Sequence, residues 1–170
     1  PQNLGRRYIL VNIAGFNLDV IESEAAVLGM RVIAGKPFRK TPVFSDKITY
    51  LVLNPSWGVP DLIARQDILP KLKRDPNYLL NERFRVFRGW GADSKELDPI
   101  AIDWTTISAS NLRYRFKQEP GPRNALGRVK FMFPNKFDVY LHDTPAKGLF
   151  ASAIRDFSSG CIRVEKPIEL

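Results

Sequence analysis

One cysteine, Cys161, and one histidine, His142, stand 19 residues apart (161 − 142), each beside a turn. A thiol with an ordinary pKa near ~8.5 is a poor nucleophile at neutral pH until a neighbouring imidazole takes its proton. The thiolate can then attack a carbonyl, and the imidazolium can protonate the departing amine. Gly160 lets the backbone turn tightly beside the sulfur, so that N–H groups of Ser159, Gly160 and Cys161 can converge on an oxyanion. The plainer alternatives are a small buried thiol and a hydrogen-bonded histidine at a strand end. A single cysteine cannot form an intramolecular disulfide, and with one histidine it makes a structural zinc site implausible.

The 19-residue separation leaves room for one helix and a return loop, enough to bring two strand ends side by side. His142 follows the apolar run Val139-Tyr140-Leu141 and precedes the turn Asp143-Thr144-Pro145. Lys147–Ile154 suits a short helix with Leu149, Phe150 and Ile154 as its apolar stripe, before Ser158-Ser159-Gly160 leads into Cys161-Ile162-Arg163-Val164. Strand alternation puts Arg163 on the face of Cys161, and Tyr140 on the face of His142. The second ring nitrogen of His142 needs an acceptor to fix its tautomer.

The supporting elements read as mainly β. Strands are expected at 8–13, 27–33, 47–53, 84–87, 113–117, 129–133 and 138–141. Short helices fit 60–66, 68–74 and about 78–82, and Gly89-Trp90-Gly91 marks a turn. Residues from about 60 to 110 therefore look like a mixed insertion in a β framework, more often a lid or binding element than a plain connector. Trp57, Trp90 and Trp104 read as packing anchors rather than sugar platforms. The length suits one domain with a substantial core.

The net charge of +8 comes from 26 basic and 18 acidic residues. It favours an anionic environment, but the basic residues are spread out and no aromatic-interleaved nucleic-acid motif stands out. No apolar run approaches the roughly 18 residues of a membrane-spanning helix, and Pro1–Arg7 lacks the order of a signal peptide. The ends at Pro1 and Leu170 look cut, with flanking domains expected beyond them.

The stretch Tyr140-Leu141-His142-Asp143-Thr144-Pro145, followed by Ser158-Ser159-Gly160-Cys161-Ile162-Arg163-Val164, resembles the signature of L,D-transpeptidases of the YkuD type. Ser159 stands where most members have a second histidine; the Ser-Ser-Gly-Cys form is similar to the large Gram-negative periplasmic YcbB-like branch. Asn54-Pro55-Ser56-Trp57, Asp103-Trp104, Pro120-Gly121-Pro122-Arg123-Asn124 and Leu126-Gly127-Arg128-Val129-Lys130-Phe131 extend the resemblance over nearly the whole chain.

The resemblance implies a β-sandwich with the catalytic strand ends at one rim and the insertion as a partly helical lid over the substrate groove. It implies a periplasmic or cell-envelope enzyme needing neither metal nor cofactor, and no nucleic acid. Cys161 attacks a donor tetrapeptide stem of peptidoglycan, His142 acts as base, D-alanine leaves, and an acceptor stem completes a 3-3 cross-link. Carbapenem β-lactams are expected to acylate the thiol. By analogy the Asp143 carbonyl is the partner of His142, with the carboxylate competing. Ser159 and Gly160 act through backbone N–H groups. Arg163 holds a stem-peptide carboxylate or pairs with Glu165 or Asp156, and Tyr140 lines the groove or packs in the core. Competing outcomes are hydrolysis by an L,D-carboxypeptidase or endopeptidase, attachment of a lipoprotein, and a catalytically silent peptidoglycan-binding module.

Overall fold

The computed structural model describes residues 4–89 and 91–170; Trp90, expected as a packing anchor, lies outside them. The chain divides into two compact units, one made of the residues up to Leu53 together with Leu126–Leu170, the other of Asn54–Ala125. The insertion expected at about 60–110 falls within the second. Both units are built on β-sheet, so the fold is mainly β with two sheets.

The first unit holds a seven-stranded sheet in the order β1-β2-β3-β11-β10-β9-β4. Its strands are β1 (Arg7–Asn12), β2 (Asn17–Glu22), β3 (Ala25–Ile33), β4 (Tyr50–Leu53), β9 (Val129–Met132), β10 (Leu141–His142) and β11 (Ile162–Val164). Only the β10–β11 pair is parallel. Alternation sends Leu18, Val20, Met30 and Val32 into the same core as Val129, Phe131, Leu141, Ile162 and Val164. Apolar residues from the five inner strands thus share one buried cluster, with Ile9 and Val11 of β1 packed against it.

β2 was not expected from the sequence, and its tight turn explains why. Ser23 and Glu24 both adopt positive φ, 48° and 70°, between β2 and β3. A two-residue hairpin needs that geometry, but its usual sign is Asn-Gly or Asp-Gly. Here neither turn residue announces it.

Two other expectations are corrected. The strand predicted for 138–141 begins only at Leu141, because the Asn135 side chain bonds the backbone at Phe133, Phe137 and Val139, and Asp138 takes φ 53°. The helix predicted for Lys147–Ile154 is a 3₁₀ turn, Lys147–Ala151, and Ser152 is already extended. Phe150 is buried as expected, but Ile154 is exposed and leaves the stripe.

The second unit pairs β5 (Trp57–Gly58), β8 (Tyr114–Gln118), β6 (Phe84–Arg88) and β7 (Lys95–Leu97) in that order, all antiparallel. It also contains the α-helical pieces α1 (Asp61–Ile63), α2 (Leu69–Arg74) and α3 (Tyr78–Asn81). Between α1 and α2 the chain widens into a π segment, Ala64–Ile68, just ahead of Pro70, which has no N–H to give to the preceding turn. Ala64, Ile68 and Leu72, four apart, face a core with Leu79, Phe84, Val86, Trp104 and Phe116. Trp57 packs against this cluster, and Trp104 donates Nε1–H to the Pro99 carbonyl.

Candidate active site

Three short strands make the platform. In register, His142 on β10 faces Lys130 on β9 and Arg163 on β11. Their neighbours Leu141, Phe131, Ile162 and Val164 point into the core, so Lys130, His142 and Arg163 project from the other face. The Ile162 N–H donates to the Tyr140 carbonyl, carrying the parallel ladder one step further. Tyr140 therefore stands opposite Cys161 on the side of His142, and the Tyr140 and His142 rings are 5.6 Å apart between centroids. Cys161 and His142 occupy diagonal positions on adjacent strands, on one face.

Cys161 is half-buried rather than sealed in the core. Its S–H donates to the Asp138 carbonyl oxygen at 3.8 Å, and the Tyr140 hydroxyl and backbone N–H act on the sulfur. Burial pushes the thiol above its ordinary pKa, against the pull of the Tyr140 groups, Lys130 and Arg163. Burial likewise raises the Tyr140 phenol.

His142 is buried, with Nδ1 2.5 Å from the Asp143 carbonyl oxygen. A ring N–H at Nδ1 leaves Nε2 as the acceptor. The Asp143 backbone is anchored in turn, its N–H donating to the Val129 carbonyl at 2.9 Å. The Asp143 carboxylate accepts from Lys147 Nζ at 2.6 Å and from the Arg128 N–H at 2.9 Å. It is buried, which raises its pKa, but those bonds win and hold it below the usual carboxylate range. Of the two acceptors open in the sequence, the carbonyl meets the imidazole and the carboxylate braces the turn.

Burial depresses the imidazole pKa to about 3, helped by the charges of Arg163 and Lys130 and opposed by Asp143. The resting site therefore holds a neutral thiol and a neutral imidazole at pH 7. An imidazolium at His142 would form between the two cations Lys130 and Arg163.

The turn before the cysteine is tied down at several points. Gly160 sits at φ 119°, in the region that favours glycine. Its carbonyl accepts from Thr41 Oγ1 at 2.7 Å. The Ser158 hydroxyl donates to the Cys161 carbonyl at 2.5 Å and accepts from the Gly160 N–H at 3.1 Å. The Gly160 N–H expected for an oxyanion is thus engaged within the turn, and no other described residue takes the Cys161 N–H. The Ser159 hydroxyl accepts from Arg39 at 2.7 Å.

Arg163 pairs with neither acid named in the sequence analysis. Glu165 is held by Arg31, with Nε to Oε1 at 3.0 Å, and Asp156 makes no ion pair among the described residues. Arg163 Nε is buried without a hydrogen-bond partner there. An unsatisfied buried donor costs about 1–3 kcal/mol, which a packed core does not usually tolerate.

Lys130 was missed by sequence reasoning. It is flanked by core residues Val129 and Phe131, so the alternation that places them inward places Lys130 on the histidine face. Its ammonium lies 3.7 Å from the Tyr140 ring centroid. Ser158 and Thr41 were missed as well; their buried hydroxyls are ordinary in sequence and acquire their role only from the turn they brace.

Among the described residues no group of acidic, histidine and cysteine side chains could hold a metal ion, and no helix is long and apolar enough to cross a membrane. Residues 6–170 match the YkuD family, described as the L,D-transpeptidase catalytic domain. A Haemophilus influenzae protein named provisionally as an L,D-transpeptidase is 40% identical over 162 residues, 95% of this chain and 32% of that protein. The chain therefore spans about a third of that relative's length. A solved L,D-transpeptidase from Mycobacterium smegmatis aligns with 96% of this chain and 51% of its own at 13% identity, with a TM-score of 0.45.

Proposed function

Because the chain belongs to the YkuD family of L,D-transpeptidase catalytic domains, we propose that Cys161 forms a thioester with a tetrapeptide stem of peptidoglycan and passes it to an acceptor stem as a 3-3 cross-link. The observation that carries the reading is the placement of Cys161 and His142 on one face of adjacent strands, with Nδ1 spent on the Asp143 carbonyl and Nε2 left to accept a proton.

In the first step the Cys161 sulfur bonds to the carbonyl carbon of the donor's third residue while its proton passes to His142 Nε2. The C–N bond to D-alanine then breaks, and the same proton leaves with the amine. In the second step the acceptor amine attacks the thioester, the C–S bond breaks, and a proton returns through His142 to the sulfur. General acid–base work of this kind is worth roughly 10²–10⁴-fold in rate.

The Cys161 N–H is a donor for the oxyanion, and the Tyr140 hydroxyl at the sulfur is a second polar group at the reacting carbon. Arg163, charged and without an acidic partner, serves the substrate rather than the fold. Ser159 in place of a second histidine supports the YcbB-like branch, and with it a periplasmic setting.

Intact-mass measurement with a carbapenem tests the thiol. One adduct on the parent and none on Cys161→Ala is expected; no adduct on the parent would favour a silent peptidoglycan-binding module. Tetrapeptide muropeptides then separate the outcomes, with cross-linked dimers supporting transpeptidation and tripeptides alone supporting hydrolysis.

A further inference from the structure

On the reading that a stem peptide acylates Cys161, we propose that Lys130 and Arg163 form the subsite for the free carboxylate of the donor's leaving residue. Both stand beside His142 in register, one on each neighbouring strand, and project from its face of the sheet. Adjacent strands are about 4.8 Å apart, so the two backbones bracket the imidazole at roughly 10 Å, within reach of long side chains from both sides.

Neither cation has an acid to neutralise it. Lys130 makes no ion pair among the described residues; its ammonium rests on the Tyr140 ring, the residue whose hydroxyl meets the thiol. Arg163 has a buried Nε with no partner. Of the neighbouring acids, Asp143 is committed to Lys147 and the Arg128 N–H and Glu165 to Arg31, while Asp138, which acts electrostatically on Tyr140, makes no ion pair with either cation among the described residues. Both cations act electrostatically on the Cys161 sulfur, which places them near the reacting atom.

The chemistry of the donor supplies the missing anion. In a stem cut one residue from its end, the scissile carbonyl carbon and the terminal carboxylate carbon are separated by one residue, roughly 3.5 Å. When the sulfur reaches the first, the second lies beside it, where Lys130 offers a point charge and Arg163 a planar fork suited to a carboxylate. The same anion offsets the repulsion that the two cations impose on the imidazolium. Docking of the carboxylate thus makes proton transfer from Cys161 easier, and binding and acylation respond together.

The decisive comparison is a tetrapeptide stem ending in D-alanine against the same stem ending in D-alaninamide, with acyl-enzyme formation followed by intact mass. The parent is expected to acylate from the amide about 10- to 100-fold more slowly. Lys130→Met and Arg163→Met should each slow the acid while shrinking the acid-to-amide ratio towards one, and Lys130→Arg should keep part of the ratio. Alkylation of Cys161 by neutral iodoacetamide checks that each variant retains an accessible thiol. Equal rates for acid and amide in the parent overturn the subsite while leaving the transpeptidase reading intact, and so does an unchanged ratio in both Met variants. Failure of the parent with both donors overturns the transpeptidase reading itself, and the subsite with it. The acid-to-amide comparison in the parent decides the matter even if a variant fails to fold.

Discussion

In the second unit, Arg85 donates Nε–H to Glu96 at 2.7 Å and approaches Glu119 at 3.3 Å, while Arg65 bonds Asp61 at 2.6 Å and Arg123 lies 3.8 Å from Glu82. In the first unit, Arg163 and Lys130 flank a buried histidine and make no ion pair among the described residues. The paired arginines are solvated surface charges, whose ion pairs carry little stability. The unpaired cations are held in a place that folding alone would fill with apolar groups or counter-ions. Partly buried charge without an acid partner, rather than charge as such, distinguishes the histidine face from the paired, more exposed arginines.

That contrast can be broken most sharply at the base. His142→Ala should slow acylation of Cys161 by roughly 10²–10⁴-fold, measured as adduct formation against time, while Arg85→Met in the second unit leaves the rate near that of the parent. Comparable losses in both variants would remove the distinction between the two surfaces.

A second test strikes the brace beneath the histidine. Gly127 takes φ 62°, and a Cβ there would stand 2.4 Å from the Asp143 carboxyl carbon. Gly127→Ala should lower stability by about 1–3 kcal/mol in urea denaturation and slow acylation too, because the displaced residue also holds the imidazole. Full stability in that variant would mean that Asp143 is free to move.

Arg163→Met should leave stability unchanged or raise it by about 1 kcal/mol, since it removes a half-buried cation whose buried Nε has no partner among the described residues. Acylation by stem peptides should fall in the same variant. A clear loss of stability would show that Arg163 serves the fold after all.

Acid should expose the histidine. Its folded pKa of about 3 lies below the ordinary 6.5, so between those values the unfolded chain binds the extra proton and the folded chain does not. This contribution is complete above pH 6.5 and is lost as pH falls towards 3. Asp143 and Glu165, both held below their ordinary pKa, add losses of the same sign nearer pH 4 and below. Denaturation midpoints between pH 6.5 and 4.5 should therefore decline in the parent and flatten in His142→Gln. The smallest effect is expected from Arg85→Met, whose midpoint at neutral pH should barely move because Arg85 and Glu96 are exposed and the longer contact to Glu119 is at most half-buried.

Much of the molecule was open to reading from the chain alone. Short apolar runs at Tyr8–Ile13, Val27–Ile33 and Val129–Phe133, closed by turn residues, mark strands whatever the tertiary arrangement. His142 and Cys161 stood out because each is the sole residue of its kind and each adjoins a turn. The hairpin at Ser23-Glu24 was hidden because its backbone geometry is imposed by the strands it joins rather than by glycine or asparagine. The Asn135 turn and the 3₁₀ segment at Lys147–Ala151 were hidden because side-chain bonds and the lie of the next strand decided where each element began and stopped.

The sequence by itself determined the chemistry on offer: one thiol, one imidazole, a glycine turn beside the sulfur, and strands to carry them. Tertiary structure alone decided which groups are left without partners, because that depends on register between strands far apart in the chain. In one dimension Asp143 looks like a natural companion for His142, and Glu165 or Asp156 for Arg163. In three, the carboxylate turns to Lys147, the guanidinium finds no acid partner among the described residues, and Lys130 arrives from β9 to share the face.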